Sequence, residues 1–135
     1  MKDELIRLET AILAKEKGFG ITINTAYDEN GLLRECNPDF YLRGYHNKGV
    51  ATLAPTQSLL QRWLREVHNI YVSSFHDLTP DGANIQYYTN WGTINDPSNK
   101  EKQYCPDGGY DKYSNWKTYE EALEQGLKNA LKLVK

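Results

Sequence analysis

The residues able to do chemistry are scattered along this chain, and their spacing matches no familiar centre. His68 and His76 stand apart, with His46, Cys36 and Cys105 elsewhere in the sequence. A zinc site is normally announced by ligands at short, regular spacings, and none occurs here. No metal site is expected. Glu9, Glu16 and His68 offer carboxylates and a base, as almost any chain of this length does. His68 falls at a helix end, where a histidine more often bonds carbonyls than acts as a general base. Cys105, next to Pro106 in a loop, is a conceivable nucleophile, but no local feature visibly lowers its pKa. There is no Walker loop, GxGxxG, CxxC or HExxH. Gly108-Gly109 lacks the following helix and Lys-Ser/Thr that would make a phosphate cradle. The expectation is no catalytic residue and no cofactor, with enzymatic activity ranked below binding.

Two sets of binding residues stand out. The first is Tyr88 and Asn90, on one face of a strand, with Tyr104, Tyr110 and Tyr113 beyond it. Tyrosine supplies large contact area at low entropic cost. The ordinary alternative is that these rings pack the sheet or pin the loop. That alternative is preferred for Tyr87 and Trp91 and weighs evenly for the loop tyrosines. The second set is Gln61, Arg62 and Arg65 on the polar face of a helix, with Arg43 and Lys48 before it. Nucleic acid would use the arginines for phosphate and Gln61 for a base edge. Two arginines on a helix are usually just solvated. The net charge of −2 also lowers the nucleic-acid expectation, because phosphate neutralisation needs a basic surface.

The elements that must carry these residues are legible in outline. Asp3–Lys17 has the pattern of a first helix, with Leu5, Ile6, Leu8, Ile12 and Leu13 on one face and Gly18 as a left-handed C′ residue. Gly20–Tyr27 alternates as a strand. Asp28-Glu-Asn-Gly31 reads as a type I′ hairpin turn, with a short return strand over Leu32–Cys36. Residues 37–53 read as an ordered loop with a candidate strand at Asp39–Leu42. A central helix begins near Pro55, with Thr56 as the other candidate for its start, and ends at Asn69. Its face of Leu59, Leu60, Trp63, Leu64 and Val67 should contribute about 1.5–3 kcal/mol per buried side chain before entropy is counted.

Ile70–His76 and Asn84–Trp91 form a second hairpin around Thr79-Pro-Asp-Gly82. Gly92–Asp111 reads as a long loop, and Tyr113–Trp116 as a short edge strand. Thr118-Tyr-Glu-Glu121 is a capping box opening the last helix. Gly126 lies near the middle of that helix's apolar face, which implies a bulky neighbour, with Trp63 as the candidate. The fold class is α+β: one domain over 1–135, an antiparallel sheet of about four strands (two hairpins) packed against three helices, in the order α-ββ-α-ββ-α.

The stretches Ala54-Pro-Thr-Gln-Ser-Leu-Leu-Gln-Arg-Trp-Leu-Arg-Glu-Val-His-Asn69, Asp28-Glu-Asn-Gly31 and Tyr119-Glu-Glu-Ala-Leu-Glu-Gln-Gly-Leu127 resemble a set of small uncharacterised proteins encoded by phages and mobile elements of gut bacteria. The likeness covers about half of the chain. It implies a phage or prophage context and carries over no catalytic residue. With no apolar leader and no bilayer-length apolar run, the chain is expected to be cytoplasmic with free thiols and without a membrane partner. The expected role is binding or adaptor work on a host or phage protein. A nucleic-acid-associated accessory protein and a small hydrolase with an unrecognised site are the alternatives. A homodimer through an uncovered sheet edge or face is compatible with this pattern.

Overall fold

In the computed structural model, residues 3–21, 23–35, 52–79, 81–93 and 109–135 are described, with backbone alone over 109–115. Three helices and six strands occur among them. In order these are α1 (Leu8–Glu16), β1 (Thr25–Tyr27), β2 (Leu33–Glu35), β3 (Thr52–Leu53), α2 (Gln57–His68), β4 (Ile70–Leu78), β5 (Ile85–Thr93), β6 (Gly109–Trp116) and α3 (Tyr119–Leu131). The fold is α+β, as expected. The two hairpins do not share a sheet of four strands, however. Among the described residues each takes up one further strand, giving two three-stranded antiparallel sheets ordered β2-β1-β3 and β4-β5-β6. The chain divides into two compact units, Met1–Leu59 and Leu60–Lys135.

In the first unit, residues before Leu8 are extended rather than helical. Ile6 N–H donates to the Pro55 carbonyl at 3.0 Å, and Gln57 N–H donates to the Glu4 carbonyl at 2.7 Å. A β-bridge joins Leu5 to Thr56. The backbone groups that would have made the first turn of α1 are spent on this pairing. The buried face of α1 changes accordingly. Thr10, Ala11 and Ala14 are inside, while Ile12 is exposed. The helix then closes on a Schellman motif: Gly18 N–H reaches the Lys15 carbonyl, Phe19 N–H reaches Ala14, and Gly18 has φ +94°. Phe19 is buried just beyond it.

The first hairpin forms where the sequence placed it, with a different turn. Gly31 alone has positive φ (+79°) among the described turn residues. Gly31 N–H bonds the Asp28 carbonyl, and Asp28 N–H bonds the Leu32 carbonyl. This is a three-residue loop ending in a left-handed glycine, not a two-residue type I′ turn. A β-carbon on Gly31 would also lie 3.2 Å from Leu8 Cδ2. β3 adds to the other side of β1 through Ala26↔Leu53 and Tyr27↔Thr52. Thr25 Oγ1 donates to the Ala54 carbonyl at 2.6 Å and Tyr27 Oη to Ile6 at 2.7 Å, tying the short strands down by side chains.

α2 is capped by Thr56, whose Oγ1 accepts the Leu59 N–H at 3.2 Å. Asp3 accepts from the Ser58 hydroxyl, so a carboxylate stands at this positive helix end. Asn69, with φ +54°, ends the helix where expected. Leu60, Trp63 and Leu64 are buried, but Val67 is 62% exposed.

The second unit is built on longer strands. β4 and β5 pair without a break from Ile70↔Thr93 to Leu78↔Ile85. β6 is longer than the expected Tyr113–Trp116 piece and pairs with β5 across an irregularity between Tyr87 and Thr89. α3 lies on this sheet. Its buried residues are Ala122, Leu123, Glu124, Gly126, Leu127, Ala130 and Leu131, whereas Tyr119 is exposed. Thr118 Oγ1 accepts the Glu121 N–H at 3.1 Å, as the capping box predicts. The Glu121 carboxylate reaches one residue further back than expected, to Lys117 N–H. The bulky neighbour of Gly126 is the sheet, not Trp63. A β-carbon there would run into Thr89 Oγ1 and lie 2.8 Å from Val72 Cγ1. The missing side chain lets the helix approach the strands closely.

Candidate functional site

Asn90 and Tyr88 lie on β5 because the alternation of Ile85–Trp91 is that of a strand covered on both faces. Thr89 points to α3 and is fully buried. Tyr88 and Asn90 point the other way, across from Phe75 and Ser73 on β4. Tyr88 is only 7% exposed. Its hydroxyl donates to Gln86 Oε1 at 2.6 Å, and its ring stands 5.6 Å from Phe75 in a tilted pair. Asn90 is half-buried, and its Oδ1 is buried with no hydrogen-bond partner among the described residues. An acceptor left in that state costs about 1–3 kcal/mol.

β6 brings a third candidate beside these two. Tyr110 occupies the register position opposite Asn90. Tyr110 therefore belongs to a strand rather than to the expected loop, and Tyr113 lies further along that strand, where an edge strand was expected. Tyr104 lies outside the described residues. So do Cys36, Arg43, His46, Lys48, Cys105, the candidate strand at Asp39–Leu42 and positions 94–108 of the expected long loop.

The helix set is arranged differently. Gln61 is committed: its Nε2 donates to the Val72 carbonyl at 2.6 Å, linking α2 to β4. Arg62 is exposed and pairs with Glu66 at 2.9 Å, the expected i,i+4 bridge. Arg65 is exposed one turn on. An exposed bridge of this kind contributes only a few tenths of a kcal/mol. The three residues therefore do not form one polar cluster, because Gln61 turns toward the sheet.

His68 sits in the last turn of α2 with its ring edge-on to Trp63, the centroids 4.6 Å apart. Its Nε2 is buried and unpartnered, in place of the carbonyl bond expected at a helix end. Glu9 is exposed on α1 in the first unit. Trp116 Nε1 is a third buried polar atom without a partner among the described residues. Trp116 faces Tyr87 in the register. A tryptophan in a strand pattern is legible from sequence, but whether its N–H finds an acceptor is not.

Both hairpin turns hold an aspartate whose carboxyl lies below the usual range. For Asp28 the Leu32 N–H is the main cause, aided by the Arg34 guanidinium at 2.9 Å. For Asp81 it is the Thr79 hydroxyl, then the Ala83 N–H. These are turn-forming interactions and do not converge with the candidate side chains.

Among the described residues, no group of three or more His, Cys, Asp or Glu is placed to hold a metal ion. No helix of these residues is long and apolar enough to cross a membrane. The chain matches no family model, no curated protein and no solved structure.

Proposed function

We propose that this is a phage- or prophage-derived binding protein, an adaptor without catalysis that engages a host or phage protein through the β5–β6 part of its second sheet. The observation that carries the reading is Asn90. Its side-chain oxygen is buried without a donor among the described residues, beside Tyr88 and opposite the backbone position of Tyr110. A partner that donates a hydrogen bond to Asn90 as its side chain turns outward recovers the cost of that lone acceptor. Tyr110 and Tyr113, on the adjoining strand, are the tyrosines that add contact area, since Tyr88 is spent on packing. The phage context rests on the resemblance of the central and C-terminal helices.

Affinity capture from infected or lysogenic cells tests it, with wild type beside Asn90→Leu. The expected outcome is one partner retained by wild type and lost by the variant, both folded by circular dichroism. Equal retention by the two removes this surface from the reading. Turnover in a broad hydrolase screen, abolished by alanine at Glu9 or His68, replaces the adaptor reading with an enzyme.

A further inference from the structure

We propose that the outer edge of β4 is a pairing surface for a second copy of this chain, held shut in the single chain by Gln61 and Asp77. Among the described strands, the sheet order puts β4 at an edge, with β5 on its other side. In an antiparallel ladder, alternate residues turn both backbone groups toward the neighbouring strand, and the others turn them away. The Thr79 N–H reaches the Asn84 carbonyl across the hairpin end. Counting back by twos, positions 77, 75 and 73 face β5. Positions 72, 74, 76 and 78 face outward.

The bonds at the two ends of this edge agree with that count. The outward carbonyl of Val72 accepts Gln61 Nε2 at 2.6 Å. The outward N–H of Leu78 donates to the carboxylate of its own neighbour, Asp77, at 2.8 Å. Two side chains thus occupy the ladder positions at either end. What stays open among the described residues is the backbone of Ser74 and His76 and the carbonyl of Leu78, too short a run to hold a strand.

Little else defends this edge. β4 has no Lys, Arg, Pro or Gly and no bulge, the usual devices that blunt an edge strand. Its distal part is exposed, and Leu78 (59% exposed) stands opposite Ile85 (56%) as an uncovered apolar pair.

The occupant that fits is the same strand from a second copy, antiparallel and centred on His76. Ser74 of each copy then meets Leu78 of the other, and the two His76 meet at the axis. Each of these positions both gives and takes a bond. Asp77 falls opposite Phe75 of the second copy, so the two carboxylates do not oppose one another. The contact is self-complementary and closes at two chains. Releasing the Leu78 N–H from Asp77 completes the run of open positions.

Sedimentation velocity over a concentration series tests this with Asp77→Val, and with Ser73→Val as its control. Ser73 lies on the same face as Asp77 and is exposed, so it adds the same apolar surface without freeing an outward N–H. The expected result is self-association of Asp77→Val at least ~10-fold tighter than wild type, with Ser73→Val unchanged. Amide exchange of the associated variant should gain protection at Ser74, His76 and Leu78, alternating with no change between them. A folded, monomeric Asp77→Val overturns the proposal, whether or not an extended peptide of another protein pairs with that edge. Equal association by Ser73→Val overturns it too, as does new protection that is uniform or lies elsewhere.

Discussion

The two sheets each have three antiparallel strands, yet they are held by different means. In the first, strands of two or three residues offer few ladder bonds. Side chains reaching across the chain compensate: Thr25 to Ala54, Tyr27 to Ile6 and Asp28 to its own turn. β2 is exposed along its whole length. In the second, a nine-residue ladder carries α3, and the apolar face of the helix fills the space between. A short sheet can thus rest on a few specific hydrogen bonds. A long one rests on burial, and is the harder of the two to perturb at its surface and the easier at its core.

The largest expected effect breaks this contrast if it fails. Leu127 is fully buried beneath the second sheet, and Leu33 is 49% exposed on β2. Leu127→Ala should cost about 2–5 kcal/mol, by lost transfer energy plus the cavity left behind. Leu33→Ala should stay within about 0.5 kcal/mol, as surface changes do. Urea unfolding followed by far-ultraviolet circular dichroism reads both units, and tryptophan fluorescence reads the second alone, because Trp63, Trp91 and Trp116 all lie there. Equal shifts for the two variants would mean that burial does not separate the sheets.

Gly126→Ala comes next. Alanine is favoured over glycine in a helix by about 1 kcal/mol. Against that, the new β-carbon meets Thr89 and Val72, both branched, buried and unable to swing aside. Overpacking of this kind costs about 1–3 kcal/mol, so the net change should be destabilising. Adding Thr89→Ala removes the nearest obstruction, and the double variant should lose less than the two single costs added together. An additive pair would show that helix and sheet slide apart instead of colliding.

Gly126 also marks the limit of what the sequence discloses. Its place on the apolar face of α3 implies a close neighbour, but only the fold identifies that neighbour as Thr89 and Val72. Elements with a strong period and a cap were legible nearly to the residue: α2 between Thr56 and Asn69, the second hairpin around Gly82, and α3 behind Thr118. Residues 3–7 were misread because their apolar spacing is helical while their backbone groups pair with 55–57. The turn at Asp28 was misread because Asn-Gly serves two turn types that differ in the φ of Asn30. For the candidate site, the alternation placed Tyr88 and Asn90 on one face. It could not show that Tyr88 is covered, that Asn90 Oδ1 is left alone or that Tyr110 is the register partner. Those depend on strand pairing, which local pattern does not encode.

A smaller effect tests the helix starts. Thr118→Ala should cost about 1 kcal/mol, because it strands the Glu121 N–H and leaves only the Lys117-to-Glu121 half of the cap. Tryptophan fluorescence should report it. Thr56→Ala acts on the end of α2 that is further supported by the Glu4 carbonyl and by Asp3. Its cost should be lower, and a higher one would mean that those bonds are not made.

The smallest effect compares the two hairpin turns through their aspartates. Both carboxyls lie below their usual value of 3.8 in the folded chain. A carboxyl lowered on folding adds stability above its unfolded pKa and loses it as the pH falls through the lower folded value. Each turn should therefore hold at pH 5 and loosen below about 3.8. The causes differ, and salt separates them. Asp28 is held by backbone N–H groups and by the Arg34 charge, whereas Asp81 is held by the Thr79 hydroxyl and the Ala83 N–H, which carry no net charge. Screening weakens an exposed ion pair and leaves a neutral hydrogen bond nearly untouched. Carboxyl-carbon NMR titrations at low and high salt should show the Asp28 midpoint rising with salt and the Asp81 midpoint standing still. Arg34→Leu should remove the salt dependence of Asp28 but leave its midpoint below 3.8, because the Leu32 N–H is the larger cause. A midpoint restored fully to 3.8 would mean that the first turn rests on its charge pair, and that the short sheet is held by electrostatics instead of by its backbone bonds.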